Sequence, residues 1–258
     1  MGNSANKQLQ EFETLQSWLH TPLGASLLQQ EARVVEEAFD GIFGEQCLQL
    51  GYWGDPAGFV RLARTQRCAL ITEFPRTDGI SAIGQLHRLP VQDDSIDVVI
   101  LPHTLDYSDR PHGILREVHR VLRSDGQLIV LGFRPGGLWG LRRLVPGAGL
   151  PPGELHLVSE RRLRDWLKLL DMRIHGVTGY FFRWPLPGLR SKPSPQWERR
   201  GQRWWPELSA CYMLSAQKRI STLTPVRPLW RANPKVVAGL AEPSARVSRI
   251  HFDPKNSL

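Results

Sequence analysis

Residues 86–130 read LHRLPVQDDSIDVVILPHTLDYSDRPHGILREVHRVLRSDGQLIV. Two apolar runs frame this stretch: IDVVIL at 96–101 and QLIVLGF, which begins at 127 and ends at 133. Neither alternates with polar residues, which is the pattern of strands buried on both faces of a parallel sheet. Between them, GILREVHRVL (113–122) sets Leu115, Val118, Val121 and Leu122 on one helical face. Strand, crossover helix and strand make a βαβ unit. Ser124-Asp125-Gly126 is expected as the turn that separates helix from second strand.

The same alternation continues on both sides. Upstream lie CLQLG (47–51), a helix near 56–64, ALITEF (69–74) and a weak third strand near 81–86. Downstream lie a small helix at 138–144 and SERRLRDWLKLL (159–170), with Ser159 as N-cap and Leu163, Trp166, Leu167 and Leu170 facing inward. MRIHGVTGYFF (172–182) and ACYMLSAQKR (210–219) close the sheet. Residues 9–44 read as two helices that break at Thr21-Pro22, where Thr can cap and Pro suits the first helical position. Gly41 and Gly44 stop the second.

The 258 residues suffice for a sizeable core, and the formal charge is +8. Charge placement is more informative than its size. From Lys218 onward eight Lys/Arg face two acids, and from Arg183 to Pro206 six face one, so the remainder is mildly acidic. The segment 183–206, rich in Pro, Gly, Arg and Trp (Trp184, Trp197, Trp204, Trp205), is expected as a basic inserted loop. Residues 220–258 lack periodicity and are expected as a disordered tail. Basic residues interleaved with Trp suit nucleobases or anions, but a solubilising loop and a loosely held tail explain them as well, so nucleic acid is not the favoured partner.

No run approaches the ~20 apolar residues of a membrane span. The polar N-terminus lacks a signal-peptide core, and three cysteines (Cys47, Cys68, Cys211) fit reduced, buried thiols. A cytoplasmic location is expected. No Cys/His spacing reads as a metal site.

Ligands of open α/β sheets sit at the carboxyl ends of the strands. The first such end is Gly51-Tyr52-Trp53-Gly54, where Gly51 permits a sharp turn. The second is Glu73, whose carboxylate can bridge two ribose hydroxyls or be an ordinary surface acid. The fourth is followed by His103-Thr104-Leu105-Asp106-Tyr107.

The stretch 86–130 resembles the class I S-adenosylmethionine-dependent methyltransferases, in particular their type 11 domain. Leu89-Pro90-Val91, Asp94-Ser95-Ile96-Asp97, Leu115-Arg116-Glu117, Arg120-Val121-Leu122 and Asp125-Gly126 follow that domain's pattern in order and spacing. With WLHTPLGASLL at 18–28, residues 15–220 resemble the YafS-like methyltransferase-domain proteins of proteobacteria.

The resemblance implies a Rossmann-like α/β fold: a mostly parallel seven-stranded sheet with helices on both faces. It implies a methyltransferase domain at 45–219, an N-terminal helical extension at 1–44 and a tail at 220–258. It implies S-adenosylmethionine as cofactor, lined by Gly51, Tyr52, Trp53 and Gly54, with Glu73 on ribose, Gln85 and Leu86 on adenine, and Pro102 and His103 beneath the sulfonium. His103 is then a candidate base, with Asp106 and Tyr107 as substrate contacts, and a small molecule is the expected acceptor. The chain departs from the family where Gln49 replaces an acid, where Trp53 and Asp55 replace loop glycines, and where Gln85 replaces an Asp. Those departures keep open a fold that binds without turnover, and the basic insert and tail keep open an RNA-associated methyltransferase.

Overall fold

Strand β4 (Ile96–Pro102) lies at the centre because both of its faces are apolar. Val99 and Leu101 enter one core cluster, whereas Val98 and Ile100 enter the other. Strand β5 (Leu122–Phe133) repeats the division, with Leu128 and Val130 on the first side and Ile129 and Leu131 on the second. Period-two alternation thus feeds two separate layers, as the unbroken apolar runs require. The computed structural model describes residues 2–55, 59–74, 79, 81–137, 139–140, 151–153, 155–183 and 195–219.

The remaining strands are β1 (Gly44–Leu50), β2 (Thr65–Thr72), β3 (Ala82–Ile83), β6 (Met172–Tyr180) and β7 (Cys211–Lys218). Their order in the seven-stranded sheet is β3-β2-β1-β4-β5-β7-β6. The pairs from β3 to β5 are parallel, and β7 runs antiparallel to both β5 and β6. Chain order reverses direction at the β1–β4 junction, so a crevice opens there at the carboxyl ends.

Helices α3 (Pro111–Val121) and α4 (Glu160–Leu169) cover the first face through Ile114, Leu115, Val118, Leu163 and Leu167. Helices α1 (Gly2–Leu19) and α2 (Pro22–Phe39) cover the second through Leu15, Leu19, Leu27, Val34, Val35 and Phe39. The N-terminal helices therefore form a whole layer, and each buried Leu or Val there stabilises by roughly 1.5–3 kcal/mol. Thr21 caps α2 as expected, its hydroxyl accepting from Gly24 N at 3.2 Å, and Ser159 caps α4 by accepting from Arg162 N at 3.3 Å.

The Arg-Glu-x-x-Arg spacing has a structural cause. Glu117 and Arg120 lie three apart on α3 and pair with each other. Glu117 also accepts from Leu89 N at 2.8 Å, while Arg120 donates to the carbonyls of Leu89 and Val91 and pairs with Asp93. Together they hold the 89–93 loop that leads into β4. The Arg120 hydrogen bonds lower the Glu117 pKa against the opposing effect of burial. Asp97 accepts from both Glu45 N and Gln46 N at 2.8 Å and so fixes the start of β1.

Three expectations need correction. The turn at Ser124–Gly126 is a bulge inside β5: pairing jumps from Ile96↔Leu122 to Val98↔Gln127, with Asp125 at φ 65°. The basic insert is not all loop, because Pro195–Trp204 form a helix, α5. Glu198 of α5 is buried and accepts from Phe181 N and Phe182 N, which docks the helix on the end of β6, and burial raises its pKa. Third, Cys68 is exposed rather than buried, whereas Cys47 and Cys211 are buried. Of the helix expected at 56–64, residues 59–64 are described and only 59 and 60 are helical, whereas all but 139 and 140 of the helix expected at 138–144 lie outside the described residues, as do residues 184–194 and the tail 220–258. Among the described residues no helix is long and apolar enough to cross a membrane.

Candidate active site

A cleft of about 900 Å³ opens at the carboxyl edge where β1 and β4 diverge. Its floor comes from Gly51 and Tyr52 after β1, Thr72 and Glu73 at the end of β2, Gly84 to Leu86 after β3, and Pro102 to Thr104 at the end of β4. Leu9, Phe12 and Leu15 of α1 add a wall that sequence reasoning had not placed there. Phe12 stacks on Phe74 at 4.6 Å and meets Tyr52 edge-on at 5.6 Å, so α1 is joined to the cleft by aromatic contacts.

Gly51 makes the turn that the sequence called for. Its φ is 89°, and a Cβ there would lie 2.7 Å from Thr104 Oγ1. Thr104 in turn donates to Leu50 O, which ties the ends of β1 and β4 together. Glu73 is exposed to the cleft and uses one oxygen to accept from Leu86 N at 3.1 Å. That bond brings Glu73, Gln85 and Leu86 to one wall. Gly54, at φ 64°, is placed differently: a Cβ there would strike Leu28 of α2, so this glycine serves helix packing, and it is not part of the cleft lining.

Trp53 is among the residues that line the cleft, but it does not obstruct it. Its side chain is 1% exposed and turned beneath the loop, where Nε1 donates to Glu31 Oε2 at 2.7 Å. The ring stacks on His103 at 4.3 Å, and Phe133 packs on the other side of His103 at 4.0 Å.

The candidate base His103 is corrected by these contacts. Its side chain is wholly buried, with Nε2 2.8 Å from Glu31 Oε1 and Nδ1 3.2 Å from Asp106 Oδ2. Burial opposes its charged form, but the two carboxylates prevail and raise its pKa to about 9. An imidazolium held between two acids has no lone pair for a substrate proton. Asp106 is equally committed: it is 1% exposed and accepts from Phe133 N and Val158 N. Tyr107 does face the cleft, and its hydroxyl donates to Pro152 O at 3.2 Å. His103 also has φ 52°, in the left-handed region that histidine enters more readily than most side chains.

Glu31 was missed in the sequence. It is fully buried on α2 and accepts from Trp53, His103 and Tyr180, the last at 3.3 Å. Burial, with Glu31 adding to it, raises the Tyr180 pKa. The signal was its position, four residues from Leu27 and four from Val35 on the apolar stripe. Glu31, His103 and Cys211 place one donor atom each within 4.8 Å. Both ring nitrogens of His103 already face carboxylates, so this set is organised around a proton rather than a cation.

Asp109, Arg110 and His156 were also missed, and all three are exposed on the cleft rim. His156 Nε2 lies 3.9 Å from Asp109 Oδ1, and Arg110 donates to His87 Nε2 at 3.1 Å. These residues follow β4 and β5, where a second molecule bound beside a nucleoside would meet the protein.

The cleft suits the expected cofactor by shape and donor chemistry. Its volume lies near the upper end of the roughly 300–1,000 Å³ range of small-molecule pockets, leaving space for two ligands. Among the described residues only one oxygen of the Glu73 carboxylate, Oε1, has a hydrogen-bond partner. Gln49 Oε1 is buried without a hydrogen-bond partner beside the Gly51 turn, while its Nε2 donates to Gly51 O.

Comparison with known proteins agrees with this geometry. Residues 62–130 match the methyltransferase-domain family. Over 88 residues the chain is 42% identical to the Escherichia coli K12 protein YafS, itself described as uncharacterized, which covers 34% of this chain and 37% of that one. The chain thus spans little more than a third of the curated relative it matches. A SAM-dependent methyltransferase from Thermotoga maritima superposes with a TM-score of 0.56 at 16% identity, over 81% of this chain and all of that one. The [4+2]-cyclase SpnF superposes with a TM-score of 0.52 at 18% identity, over 76% and 82%. Geranyl diphosphate methyltransferase in complex with SAM gives a TM-score of 0.51 at 13% identity, over 73% and 84%. At these identities the structures establish the fold.

Proposed function

Because this chain carries a methyltransferase domain of the class I fold, we propose that its cleft binds S-adenosylmethionine and that the protein methylates a small-molecule acceptor. The observation that carries this reading is the exposed Glu73 carboxylate at the end of β2, set in a 900 Å³ cleft at the switch in strand order. Bound there, the cofactor supplies a methyl group on a sulfonium for in-line displacement.

The protein's part is chiefly alignment and exclusion of water. Glu73 accepts the ribose hydroxyls, and Gln85 and Leu86 border the base. Gly51 and Tyr52 bring backbone close to the amino-acid end, and Pro102 bounds the floor toward β4. Phe12 and Leu15 cover the site from α1. His103 and Asp106 position the floor from below, and Tyr107 borders the acceptor space. Where an acceptor must lose a proton, His156 backed by Asp109 takes the role for which His103 is unsuited.

The experiment is release of S-adenosylhomocysteine from S-adenosylmethionine in the presence of fractionated small-molecule extract, with a His156→Gln variant in parallel. Turnover dependent on a low-molecular-weight fraction supports the reading, and absence of turnover across all fractions counts against it. A second reading, a binding module without turnover, is kept in view by Gln49, a neutral amide near the end of β1. It predicts cofactor binding with no product in any fraction.

A further inference from the structure

Cys47 and Cys68 face each other directly across the β1–β2 pair, and neither is in a disulfide. In register, parallel neighbours have their Cα atoms about 4.8 Å apart and their side chains on the same face. That separation falls within the roughly 4.4–6.8 Å window of disulfide-bonded cysteines.

The partners are unequal. Cys47 is 2% exposed, in the cluster beneath α1 and α2, whereas Cys68 is exposed. β3 pairs only with Ile71 and Thr72, so Cys68 lies on a stretch of β2 with no described outer strand beside it. Thr65 Oγ1 lies 3.2 Å from Cys68 Sγ, which also donates to Val60 O at 3.5 Å. The neighbouring Cys47 thiol, and after it Thr65, lowers the Cys68 pKa to about 6 against the effect of burial, while the Cys68 sulfur and burial raise that of Cys47. An accessible sulfur beside a protected neighbour is the arrangement of an attacking and a resolving cysteine.

We propose that Cys68 and Cys47 form a reversible oxidation site, distinct from the cleft, that takes peroxide as its oxidant and closes to a disulfide joining β1 and β2. Cys68 loses its proton, and its sulfur attacks one oxygen of hydrogen peroxide. The O–O bond breaks, giving the Cys68 sulfenic acid and hydroxide, which takes up the proton as water. The Cys47 thiol then attacks the Cys68 sulfur, and the sulfenic oxygen leaves as a second water with the Cys47 proton. The two sulfurs lose two electrons together, and peroxide is reduced to two waters. The product links parallel strand neighbours whose Cβ atoms point the same way, a strained geometry that favours ready reduction by thiols.

The test treats the full chain with hydrogen peroxide, blocks free thiols and maps peptides by mass spectrometry, alongside Cys47→Ser and Cys68→Ser variants. The expected result is a Cys47–Cys68 linked peptide that dithiothreitol abolishes, with Cys211 remaining free. Cys47→Ser should stop at a Cys68 sulfenic acid that dimedone traps, and Cys68→Ser should give neither product. Should a variant fail to fold, the wild-type map alone decides. Cys47 and Cys68 both still alkylatable, or Cys68 oxidised to the sulfinic acid without the linked peptide, would overturn the proposal.

Discussion

His103 Nε2 lies 2.8 Å from Glu31 Oε1, so the end of the central strand is joined to the N-terminal helical layer by residues 72 apart in sequence. Asp106 holds the other ring nitrogen, and Trp53 and Tyr180 donate to the same Glu31. One buried carboxylate thus connects α2, the β1 turn, β4 and β6 directly beneath the proposed cofactor floor.

Glu31→Ala should therefore destabilise the protein strongly. It leaves the indole N–H, the tyrosine hydroxyl and a buried imidazolium without their acceptor, and loss of one partner from such a pair costs about 3–5 kcal/mol. Chemical denaturation measures this. Glu31→Gln keeps the volume and some hydrogen bonds, so its loss should be the smaller.

The His103 pKa, raised to about 9 from 6.5, sets a pH dependence. Because the folded value is higher, the folded state holds a proton that the unfolded state releases. Its contribution is complete below about pH 6.5 and falls as pH rises toward and through 9. Cys68, lowered to about 6, acts with opposite sign in the same interval, so the informative quantity is a difference. Stability of wild type minus that of Glu31→Gln, from urea titrations at pH 6 to 10, should shrink with rising pH. A constant difference would contradict the charged assignment.

The loop clamp gives a third expectation. Arg120→Ala removes donors to Leu89 O and Val91 O and the pair with Glu117. A loss of about 1–3 kcal/mol is expected, with Glu117→Ala adding less than its single effect because both act on one loop. A double-mutant cycle by thermal unfolding measures the coupling, and full additivity would contradict a shared clamp.

Much of the fold was legible because it rests on local patterns. The runs at 96–101 and 127–133 could only be strands buried on both sides, and Thr21 and Ser159 marked two helix starts. The Arg-Glu-x-x-Arg spacing identified the domain type, and the structure shows it acting on the loop before β4. The candidate site was less legible because its supports are distant in sequence. Glu31 stands among Glu36 and Glu37, and only its place on the apolar stripe sets it apart. His103 has the right position for a base, but its burial depends on Trp53, Phe133 and Asp106 closing around it. Trp53 stands where the family carries a loop glycine, and sequence does not show which way its ring turns.

That last point is testable. Trp53→Gly, which restores the common glycine, should not improve cofactor affinity. It removes a ring that is 1% exposed and frees Glu31, so a destabilisation of at least 3–5 kcal/mol is expected from the cavity alone. Stability by denaturation and affinity by titration would both register the change. Tighter binding with unchanged stability would refute the packing role.

The most direct measurement is calorimetric titration of the purified protein with S-adenosylmethionine and S-adenosylhomocysteine, with Glu73→Ala alongside. Micromolar binding is predicted, with affinity in Glu73→Ala weakened about 10- to 100-fold, the equivalent of losing one charged hydrogen-bonding group. The variant should still fold, because Glu73 is exposed and the only hydrogen bond lost among the described residues is that from Leu86 N. No heat of binding at millimolar ligand, or equal affinity in Glu73→Ala, would contradict the placement of the cofactor in this cleft.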